Sequence, residues 1–519
     1  MLAAALLLAG CIPATGPSKE PTHAAAQEAA QGAPDVVVEE VDPAAAAPAE
    51  DDSPREPSPV PPAETPQEGV GAAGIGDDYF RLMGNGGYDV QHYALDLDIS
   101  MADNRIDGTA RIEAVATQDL MRFNLDFTGF TITTLQVDDQ PAQYTRSGSE
   151  LTIIPAEELA EGQPFTVVLG YRGVPRSSSQ AGHDFTSGWH YYGEQVMVAG
   201  EPGGASTWYP VNEHPLDKAT YTMTISVEAP YVVAANGLLQ NMTEENGAIT
   251  YEWASRDPIA SYLVTLAIGD FEIETGQSQS GVPIRNYFAA GVDPTVRASF
   301  ARQDEMIDYF ETIFGPYPFE AYGAVVHDLD LGFALETQTL STFGSSFVDE
   351  YVVVHELAHS WFGNSVSLSD WRDIWLNEGF ATYAGALWTE HVGGPRAFEE
   401  ELGFYYRMVA SSATDFDFPI GDPGPDNMFS RAVYFRGALT LHALRLRLGD
   451  EAFFTFLRAY ADRFRYGSTS TPELIALAEE ISGEELDDLF NAWLYQVPLP
   501  DIPEMGLYAA DYTTSSGGR

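Results

Sequence analysis

The chain has 519 residues, a hydrophobic content of 45% and a formal net charge of −52. This hydrophobic content is enough for more than one core at a typical domain size of about 100–200 residues. The charge and the presence of only two lysines, Lys19 and Lys218, argue against a nucleic-acid-binding protein, which needs a basic surface. The acidic excess also favours a salt-adapted source, since concentrated salt screens the repulsion between like charges. The single cysteine, Cys11, excludes an internal disulfide.

The first eleven residues, MLAAALLLAGC, predict a bacterial lipoprotein signal. They are too short for a membrane-spanning helix, which needs about 20 apolar residues. Leu8, Ala9 and Gly10 precede Cys11 in the order of a lipobox, so Cys11 is expected to carry a lipid anchor. The alternative is a chance cysteine after an apolar start, and the usual Lys or Arg is missing from the signal. The anchor predicts a place in the bacterial cell envelope, at a membrane and facing outside the cytoplasm.

Residues 12–78 are rich in Pro, Ala, Glu and Asp and nearly free of aromatic residues. Such a composition cannot bury enough apolar surface to offset the entropy that ordering costs. We therefore expect a disordered acidic tether that holds the folded part of the protein away from a membrane surface.

Residues 79–274 are predicted to form an antiparallel β-domain, because apolar residues recur at every second position. Between Tyr93 and Ile99, and again between Tyr221 and Val227, apolar residues alternate with polar or small ones. A period of two is typical of strands that bury one face and expose the other.

Residues 275–500 are predicted to form a mainly α domain, because the period of the apolar residues changes after Pro294. Helical patterns run through VRASFARQDEMIDYFETIF, HELAHS, GALTLHALRLRL and TPELIALAEEI. The expected fold is therefore multidomain α and β, with an N-terminal antiparallel β-sheet domain followed by a mainly α catalytic domain. Residues 501–519 are expected to form a C-terminal tail.

Within the mainly α domain, the segment VVVHELAHSWFGN places His355 and His359 four residues apart, with Glu356 between them. On a helix the two imidazoles lie on one face and can bind one Zn²⁺, while Glu356 can act on a water at the ion. Structural zinc sites usually fill four positions with Cys and His, so a chain with one cysteine predicts an open, catalytic site. The alternative is a buried helix that happens to carry two histidines.

A third metal ligand is predicted at Glu378, in the segment WLNEGFATY. The polar loop SVSLSD before it lets this segment fold back as a second helix, antiparallel to the helix of His355 and His359. The carboxylate would complete a set of two histidines and one glutamate. Taken alone, a glutamate near a helix start is more often a surface residue stabilised by the helix dipole, but the preceding histidine pair favours a ligand.

Together, HELAHSWFGN and WLNEGFATY resemble the zinc aminopeptidases related to aminopeptidase N and leukotriene hydrolase. The resemblance covers approximately residues 85–500 and implies a thermolysin-like catalytic domain, one zinc ion per chain and peptide substrates. It also implies that Glu356 is the general base and then the general acid in peptide-bond hydrolysis. In RAVYFRGAL the resemblance assigns Tyr434 to the stabilisation of the oxyanion, with Arg436 where lysine is frequent.

The same resemblance assigns two further glutamates to the free α-amine of the substrate. Glu336 in GFALETQTL falls on the family's amine-binding glutamate and is followed by Thr337, where many members have asparagine. Glu201 in AGEPGGASTWYP falls where the family has a Gln or Glu that shares this role, the alternative being an ordinary loop acid. One departure is Gly385, which stands where relatives often carry a glutamate that orients a zinc ligand.

The resemblance therefore implies a zinc aminopeptidase, and two alternatives stay open. Larger relatives continue with a helical domain that caps the cavity, which this chain is expected to lack, and an open cleft would suit a zinc endopeptidase. The other alternative is a non-catalytic peptide-binding lipoprotein that keeps the fold. Such a protein has no physical need for the water-activating Glu356.

Overall fold

The computed structural model describes residues 68–179, 186–346, 348–412 and 416–512. The predicted lipidation site, Cys11, lies outside the described residues.

The predicted tether, residues 12–78, ends earlier than its composition suggests, because residues 68–78 pack against the folded part of the chain. Asp77 is only 3% exposed. Its carboxylate accepts the backbone N–H groups of Tyr79 and Trp371, both at 2.8 Å. The rest of the predicted tether, up to residue 67, lies outside the described residues.

The N-terminal region is built from strands. They are β1 (Tyr88–Ser100), β2 (Arg105–Ala116), β3 (Phe123–Asp126), β4 (Thr131–Val137), β5 (Gln140–Pro141), β6 (Gln143–Ser147), β7 (Glu150–Ile154), β8 (Pro164–Gly173), β9 (Ser177–Ser179), β10 (Thr186–Tyr191), β11 (Val196–Ala199), β12 (Ala219–Glu228), β13 (Val232–Ala235), β14 (Leu238–Glu245), β15 (Ala248–Ile259) and β16 (Leu266–Gly269). The largest sheet has eight strands in the order β14-β15-β12-β1-β2-β8-β4-β5. Two smaller sheets have the orders β13-β16-β11-β10-β9 and β3-β7-β6. The predicted β-rich N-terminal domain is confirmed.

Burial along β1 follows the predicted alternation. Tyr93, Leu95, Leu97 and Ile99 are at most 2% exposed. The eight-stranded sheet is antiparallel except where β1 runs parallel to β12, and at this pair the rings of Tyr93 and Tyr221 stack with centroids 4.9 Å apart. The sequence pattern identifies the buried face, but it does not show the direction of a strand that is distant in the chain.

The C-terminal region contains the helices and a second five-stranded sheet. Its elements are β17 (Phe271–Gln277), β18 (Pro283–Ala289), α1 (Pro294–Ala298), α2 (Gln303–Phe314), β19 (Tyr322–His327), β20 (Ala334–Leu335), β21 (Ser341–Gly344), α3 (Glu350–Ala358), β22 (Ser367–Leu368), α4 (Trp375–Gly393), α5 (Pro395–Ser411), α6 (Arg431–Leu448), α7 (Asp450–Arg463), β23 (Ser468–Thr469), α8 (Thr471–Ser482) and α9 (Asp487–Phe490). The sheet has the order β17-β18-β19-β21-β20, so the domain boundary predicted at residue 274 falls inside β17. None of the helices in the described part of the chain combines the length and apolar character that a transmembrane span requires.

The helix predicted over VRASFARQDEMIDYFETIF is interrupted between α1 and α2. Phe300, in the interruption, is 4% exposed. Its ring packs edge-on against Phe288 at 5.5 Å and Phe343 at 5.1 Å. The chain leaves helical geometry where this ring packs against the sheet, a tertiary contact that periodicity does not reveal.

Part of the predicted C-terminal tail packs on the helical domain. Ile502 and Leu507 are buried, and the hydroxyl of Tyr406 donates to the carbonyl of Pro500 at 3.1 Å. The segment as far as residue 512 therefore belongs to the folded domain, and residues 513–519 lie outside the described residues.

Candidate metal centre and active site

The two histidines of the metal set lie at the C-terminal end of α3. Asp349 caps the start of this helix, and its carboxylate accepts the backbone N–H of Val352 at 3.1 Å. The helix is buried and mostly apolar, so His355 and His359 need polar partners within the protein. The backbone N–H of His359 donates to the carbonyl of His355 at 3.3 Å, which keeps the two side chains one turn apart.

Glu378 lies in the first turn of α4. The short 3₁₀ turn before this helix is capped by Asp370, whose carboxylate accepts the backbone N–H of Arg372 at 2.9 Å. The indole of Trp375 anchors the helix start by donating to the hydroxyl of Thr471 at 2.8 Å. Glu378 is 3% exposed, and the positive end of the helix dipole stabilises its ionised form.

The three side chains converge on one point. Nε2 of His355 lies 3.1 Å from Nε2 of His359 and 3.2 Å from Oε2 of Glu378, and Nε2 of His359 lies 3.6 Å from the same oxygen. Ligands about 2.0–2.2 Å from a tetrahedral zinc ion are about 3.3–3.6 Å apart, so this triangle fits one zinc ion. Two imidazoles and one carboxylate are the donor set of a catalytic zinc site.

Neighbouring groups prepare these donors for a metal. Nδ1 of His359 lies 3.0 Å from the carbonyl of Phe362, so Nδ1 carries the proton and Nε2 is available as a ligand. Burial opposes the ionisation of Glu378, but the positive charge of protonated His359 and the hydrogen bond to His355 outweigh it and lower the pKa of this carboxyl below its usual value. Burial also opposes the protonation of His359, but the charges of Glu336 and Glu378 outweigh it and raise the pKa of this imidazole. Zinc requires the ionised carboxylate and the neutral imidazole nitrogen, so its binding must displace the proton of His359.

Glu356 and Tyr434 line the same cavity as the metal set. Glu356 is 6% exposed, and burial, with the charges of Glu336 and Glu378, holds its pKa well above the usual range although His359 opposes this shift. The ring of Tyr434 lies nearly parallel to the imidazole of His355, and the two ring centroids are 5.9 Å apart. The structure therefore brings the predicted base and the predicted oxyanion donor to the metal set.

A close crossing of α4 and α6 positions Tyr434. A Cβ on Gly437 would lie 2.8 Å from the Cα of Gly379, and a Cβ on Gly379 would lie 2.9 Å from the Cα of Gly437. Glycine at both positions permits this approach of two backbones. Glu378 precedes the first glycine and Tyr434 lies about one turn before the second, so the crossing brings the metal ligand and the tyrosine together.

Two further carboxylates, those of Glu336 and Glu201, reach the cavity from outside α3 and α4. Glu336 follows β20 and is 2% exposed, and Glu201 follows β11 and is 7% exposed. One oxygen each of Glu201, Glu336 and Glu378 lie within 4.8 Å of one another. Every residue that the sequence assigned to metal, catalysis or the α-amine therefore lines one cavity.

Sequence reasoning missed the residues that hold Glu336 in place. The side-chain amide of Asn364 donates to the carbonyl of Glu336 at 2.7 Å. The ammonium of Lys218 donates to the carbonyls of Asn364, Ser365 and Gly467 at 2.9, 3.1 and 2.8 Å. Lys218 is the only lysine after residue 19, and this rarity is visible in the sequence. Its partners are backbone carbonyls, which every residue has, so the sequence does not show which of them it contacts.

At Gly385, where relatives often carry a glutamate, the ring of Tyr351 occupies the space. A Cβ on Gly385 would lie 2.7 Å from Cε2 of Tyr351. The hydroxyl of Tyr351 donates to the carbonyl of Thr382 at 3.4 Å and pairs with the hydroxyl of Tyr405. A glutamate therefore cannot occupy this position unless the tyrosine moves.

Arg436, which stands where lysine is frequent, is not among the residues that line the cavity. Its guanidinium donates to the carbonyls of Trp493 and Val497, both at 2.7 Å, and to that of Ala492 at 3.1 Å. These contacts join α6 to the C-terminal segment, so Arg436 stabilises the packing of that segment on the helix.

Comparisons with known proteins identify relatives of both parts of the chain. The family model of the peptidase M1 N-terminal domain matches residues 89–263, and that of the peptidase family M1 domain matches residues 299–493. Aminopeptidase M1-A of Oryza sativa subsp. japonica is 28% identical over 398 residues, which are 70% of this chain and 44% of the rice protein. Endoplasmic reticulum aminopeptidase 1 of Homo sapiens is 28% identical over 74% of this chain and 44% of the human protein. The chain thus spans less than half the length of these curated relatives.

This chain matches one solved structure over nearly the whole length of that structure. The M1 zinc metallopeptidase from Deinococcus radiodurans is 33% identical, with a TM-score of 0.78, over 83% of this chain and 98% of that one. A mutant of this metallopeptidase has been crystallised with the substrate Tyr-Ser-Ala. The two domain models together cover both parts of the fold, and so does this structure. The chain belongs to the M1 family of zinc metallopeptidases.

Proposed function

We propose that this protein is a zinc aminopeptidase that removes N-terminal residues from peptides. The observation that carries the proposal is the pair of buried carboxylates, Glu201 and Glu336, beside the metal set. Buried carboxylates need a cationic partner, and the free α-amine of a peptide is such a cation. A peptide held by this amine presents its first peptide bond to the metal set. Relatives that are named aminopeptidases support the proposal.

Each polar residue of the cavity has a separate role in the proposed reaction. Zinc, when bound by the two histidines and Glu378, supplies a Lewis acid that polarises the scissile carbonyl and acidifies water. Glu356 takes the proton from the attacking water as general base and then delivers it to the leaving amine as general acid. Tyr434 donates a hydrogen bond to the oxyanion, a role worth about 2.7–4 kcal/mol where comparable donors have been removed. Glu336 and Glu201 fix the ammonium group, so the reacting atoms meet in one orientation.

The rest of the cavity wall favours an apolar first residue in the substrate. Its apolar part is formed by Ala199, Phe333, Ala334, Leu335, Val348, Val352, Phe429 and Phe435. The described residues of the lining include no lysine or arginine, and their glutamates repel an acidic side chain. We therefore expect faster hydrolysis of peptides that begin with Leu or Phe than of peptides that begin with Asp or Glu.

Hydrolysis of aminoacyl-anilides with and without a chelator tests the proposal. Leu-, Phe- and Glu-anilides are offered with a free and with an N-acetylated amine, together with an internally quenched peptide that has a blocked N-terminus. We expect rapid cleavage of the free Leu- and Phe-anilides, abolished by 1,10-phenanthroline and restored by zinc, and at most slow cleavage of the N-acetylated anilides. Cleavage of the blocked peptide would indicate an endopeptidase. A zinc-loaded protein that cleaves nothing would indicate a non-catalytic peptide-binding protein.

We further propose that Cys11 carries a lipid that anchors the enzyme in the bacterial cell envelope. The order Leu8, Ala9, Gly10 before the sole cysteine supports this proposal. Fractionation of cells that produce the full chain should recover it with the membranes, whereas Cys11→Ala should move to the soluble fraction. Membrane retention of that variant would contradict lipidation at this residue.

A further inference from the structure

Two buried oxygen atoms in the cavity accept no hydrogen bond from the described residues. They are Oε1 of Glu201 and Oε1 of Glu336, in side chains that are 7% and 2% exposed. Both side chains line the cavity together with Glu378. A buried carboxylate oxygen without a donor is costly unless a cation or a proton satisfies it. These atoms therefore mark a position for a positively charged ligand.

The side chains that line the cavity also carry more negative than positive charge. Its lining contains the four carboxylates of Glu201, Glu336, Glu356 and Glu378. When all four are ionised, one zinc ion at the two histidines offsets two of the four negative charges, and a substrate ammonium offsets only one more. The described residues of the lining supply no lysine or arginine for the remainder. A second divalent cation would offset both charges that the first zinc ion leaves.

We propose that, when no substrate is bound, a second divalent cation binds between Glu201, Glu336 and Glu378. One oxygen from each of these three side chains lies within 4.8 Å of the other two, close enough to share one ion. Carboxylate oxygens bind zinc at about 2.0–2.2 Å and also suit harder divalent cations. Glu378 has two oxygens and bridges the two ions, as carboxylates do in two-metal sites.

The second cation and the substrate ammonium occupy the same carboxylates, so they exclude each other. This proposal rests on the proposed function only in that it uses the same amine-binding glutamates. Excess zinc should therefore inhibit the enzyme, and the inhibition should be competitive with substrates that have a free amine. Zinc at the histidine set should stay bound throughout, because its imidazole ligands are not shared.

Equilibrium dialysis of the whole protein against zinc, with the metal measured by atomic emission, tests the second site without any need for turnover. Wild type should bind one zinc ion tightly and a second more weakly. Glu201→Gln and Glu336→Gln should each weaken the second ion by at least about 10-fold, the lower end of what losing even an outer-shell partner costs, and should keep the first. Glu485→Gln, an exposed residue outside the cavity, should bind both ions like wild type.

A monoamine separates the second site from zinc that is bound to the acidic surface. Isoamylamine presents an ammonium group and no carboxylate that could chelate zinc, so it should displace the second ion from wild type. Circular dichroism and retention of the first zinc ion show that each variant is folded. Wild type that binds a single zinc ion, or a second ion that both variants retain or isoamylamine fails to displace, overturns the proposal. Two-ion binding by a protein that cleaves no peptide would uphold the site and refute the aminopeptidase function.

Discussion

Glu356 shares the cavity with the metal ligands, and the choice of ligands follows from the chemistry of the donors. Besides the set of His355, His359 and Glu378, a second set of Glu336, Glu356 and His359 also lies within reach of one ion. The first set supplies two nitrogen donors and the second only one, and zinc sites in proteins favour imidazole over carboxylate. Glu356 is thereby left for proton transfer.

Glu356→Gln separates these two roles. The amide keeps the size of the side chain but accepts no proton, so activity should fall by at least the ~10²-fold that general acid–base catalysis contributes. Zinc content, measured by atomic emission after gel filtration, should stay near one ion per chain. His359→Ala is the matched control and should lose the metal itself. Loss of zinc from Glu356→Gln, or nearly normal turnover with zinc bound, would contradict the role of Glu356.

Tyr434→Phe removes one hydroxyl and leaves the ring beside His355. If the hydroxyl stabilises the oxyanion, kcat should fall about 10²–10³-fold, as when other oxyanion donors are removed. KM should change little, because the oxyanion exists only in the transition state. Steady-state kinetics on Leu-anilide give both constants, and a change confined to KM would assign Tyr434 to substrate binding instead.

Among the secondary-structure elements, the sequence predicted those with a local signal. The four-residue spacing of His355 and His359 identified α3, and the apolar run that begins near Glu378 identified α4. The crossing of α4 and α6 at Gly379 and Gly437 had no such signal, because a glycine in a helical pattern does not show which other backbone approaches it. The positions of the ligands were therefore predictable from the sequence, whereas the packing that brings Tyr434 to them was not.

Gly437→Ala tests the helix crossing. The added Cβ would lie 2.8 Å from the Cα of Gly379, so α6 must shift, at a cost of about 1–3 kcal/mol in the free energy of unfolding. A shift of α6 also displaces Tyr434, so kcat should fall with the melting temperature. In α5, a Cβ on Gly403 meets only the end of the Arg407 side chain, at 3.0 Å, and alanine favours a helix by up to about 1 kcal/mol. Gly403→Ala should therefore be neutral or stabilising, and equal behaviour of the two variants would contradict the crossing.

For the whole molecule, the segment before β1 connects parts of the chain that are far apart in sequence. Oδ2 of Asp77 lies 3.4 Å from Nε2 of His214 in the β-domain and accepts the backbone N–H of Trp371, just before α4, at 2.8 Å. Both side chains of the Asp77–His214 pair are wholly buried. The acidic composition of the segment led to the prediction of disorder up to residue 78, since composition averages over a window and misses one carboxylate with two distant partners. The composition of the segment indicates that most of it is solvated, but it does not reveal the contacts of Asp77 with His214 and Trp371.

Asp77→Ala should lower the free energy of unfolding by about 1–3 kcal/mol at pH 7, because it leaves buried donors without an acceptor. Burial opposes ionisation of Asp77, but its bonds to His214, Trp371 and Phe80 prevail and hold its pKa below the usual value of 3.8. A carboxyl with a depressed pKa stabilises the fold above the unfolded-state pKa, and this contribution is lost as the pH falls. The difference between wild type and variant in urea unfolding should therefore shrink below about pH 4. Asp98→Ala, at an exposed position, is the control, and equal effects of both substitutions would contradict the role of Asp77.

Glu336 is proposed to select peptides by their free α-amine, and Glu336→Ala tests this selection most directly. A charge-assisted hydrogen bond contributes about 1.5–3 kcal/mol. The variant should therefore lose about 10–150-fold in kcat/KM on dipeptides with a free amine, at 1.4 kcal/mol per tenfold change. N-acetylated analogues have no cation, so their slow hydrolysis should be unchanged, with zinc content intact. An equal loss on both classes of substrate would make Glu336 a support of the zinc site and contradict the aminopeptidase account.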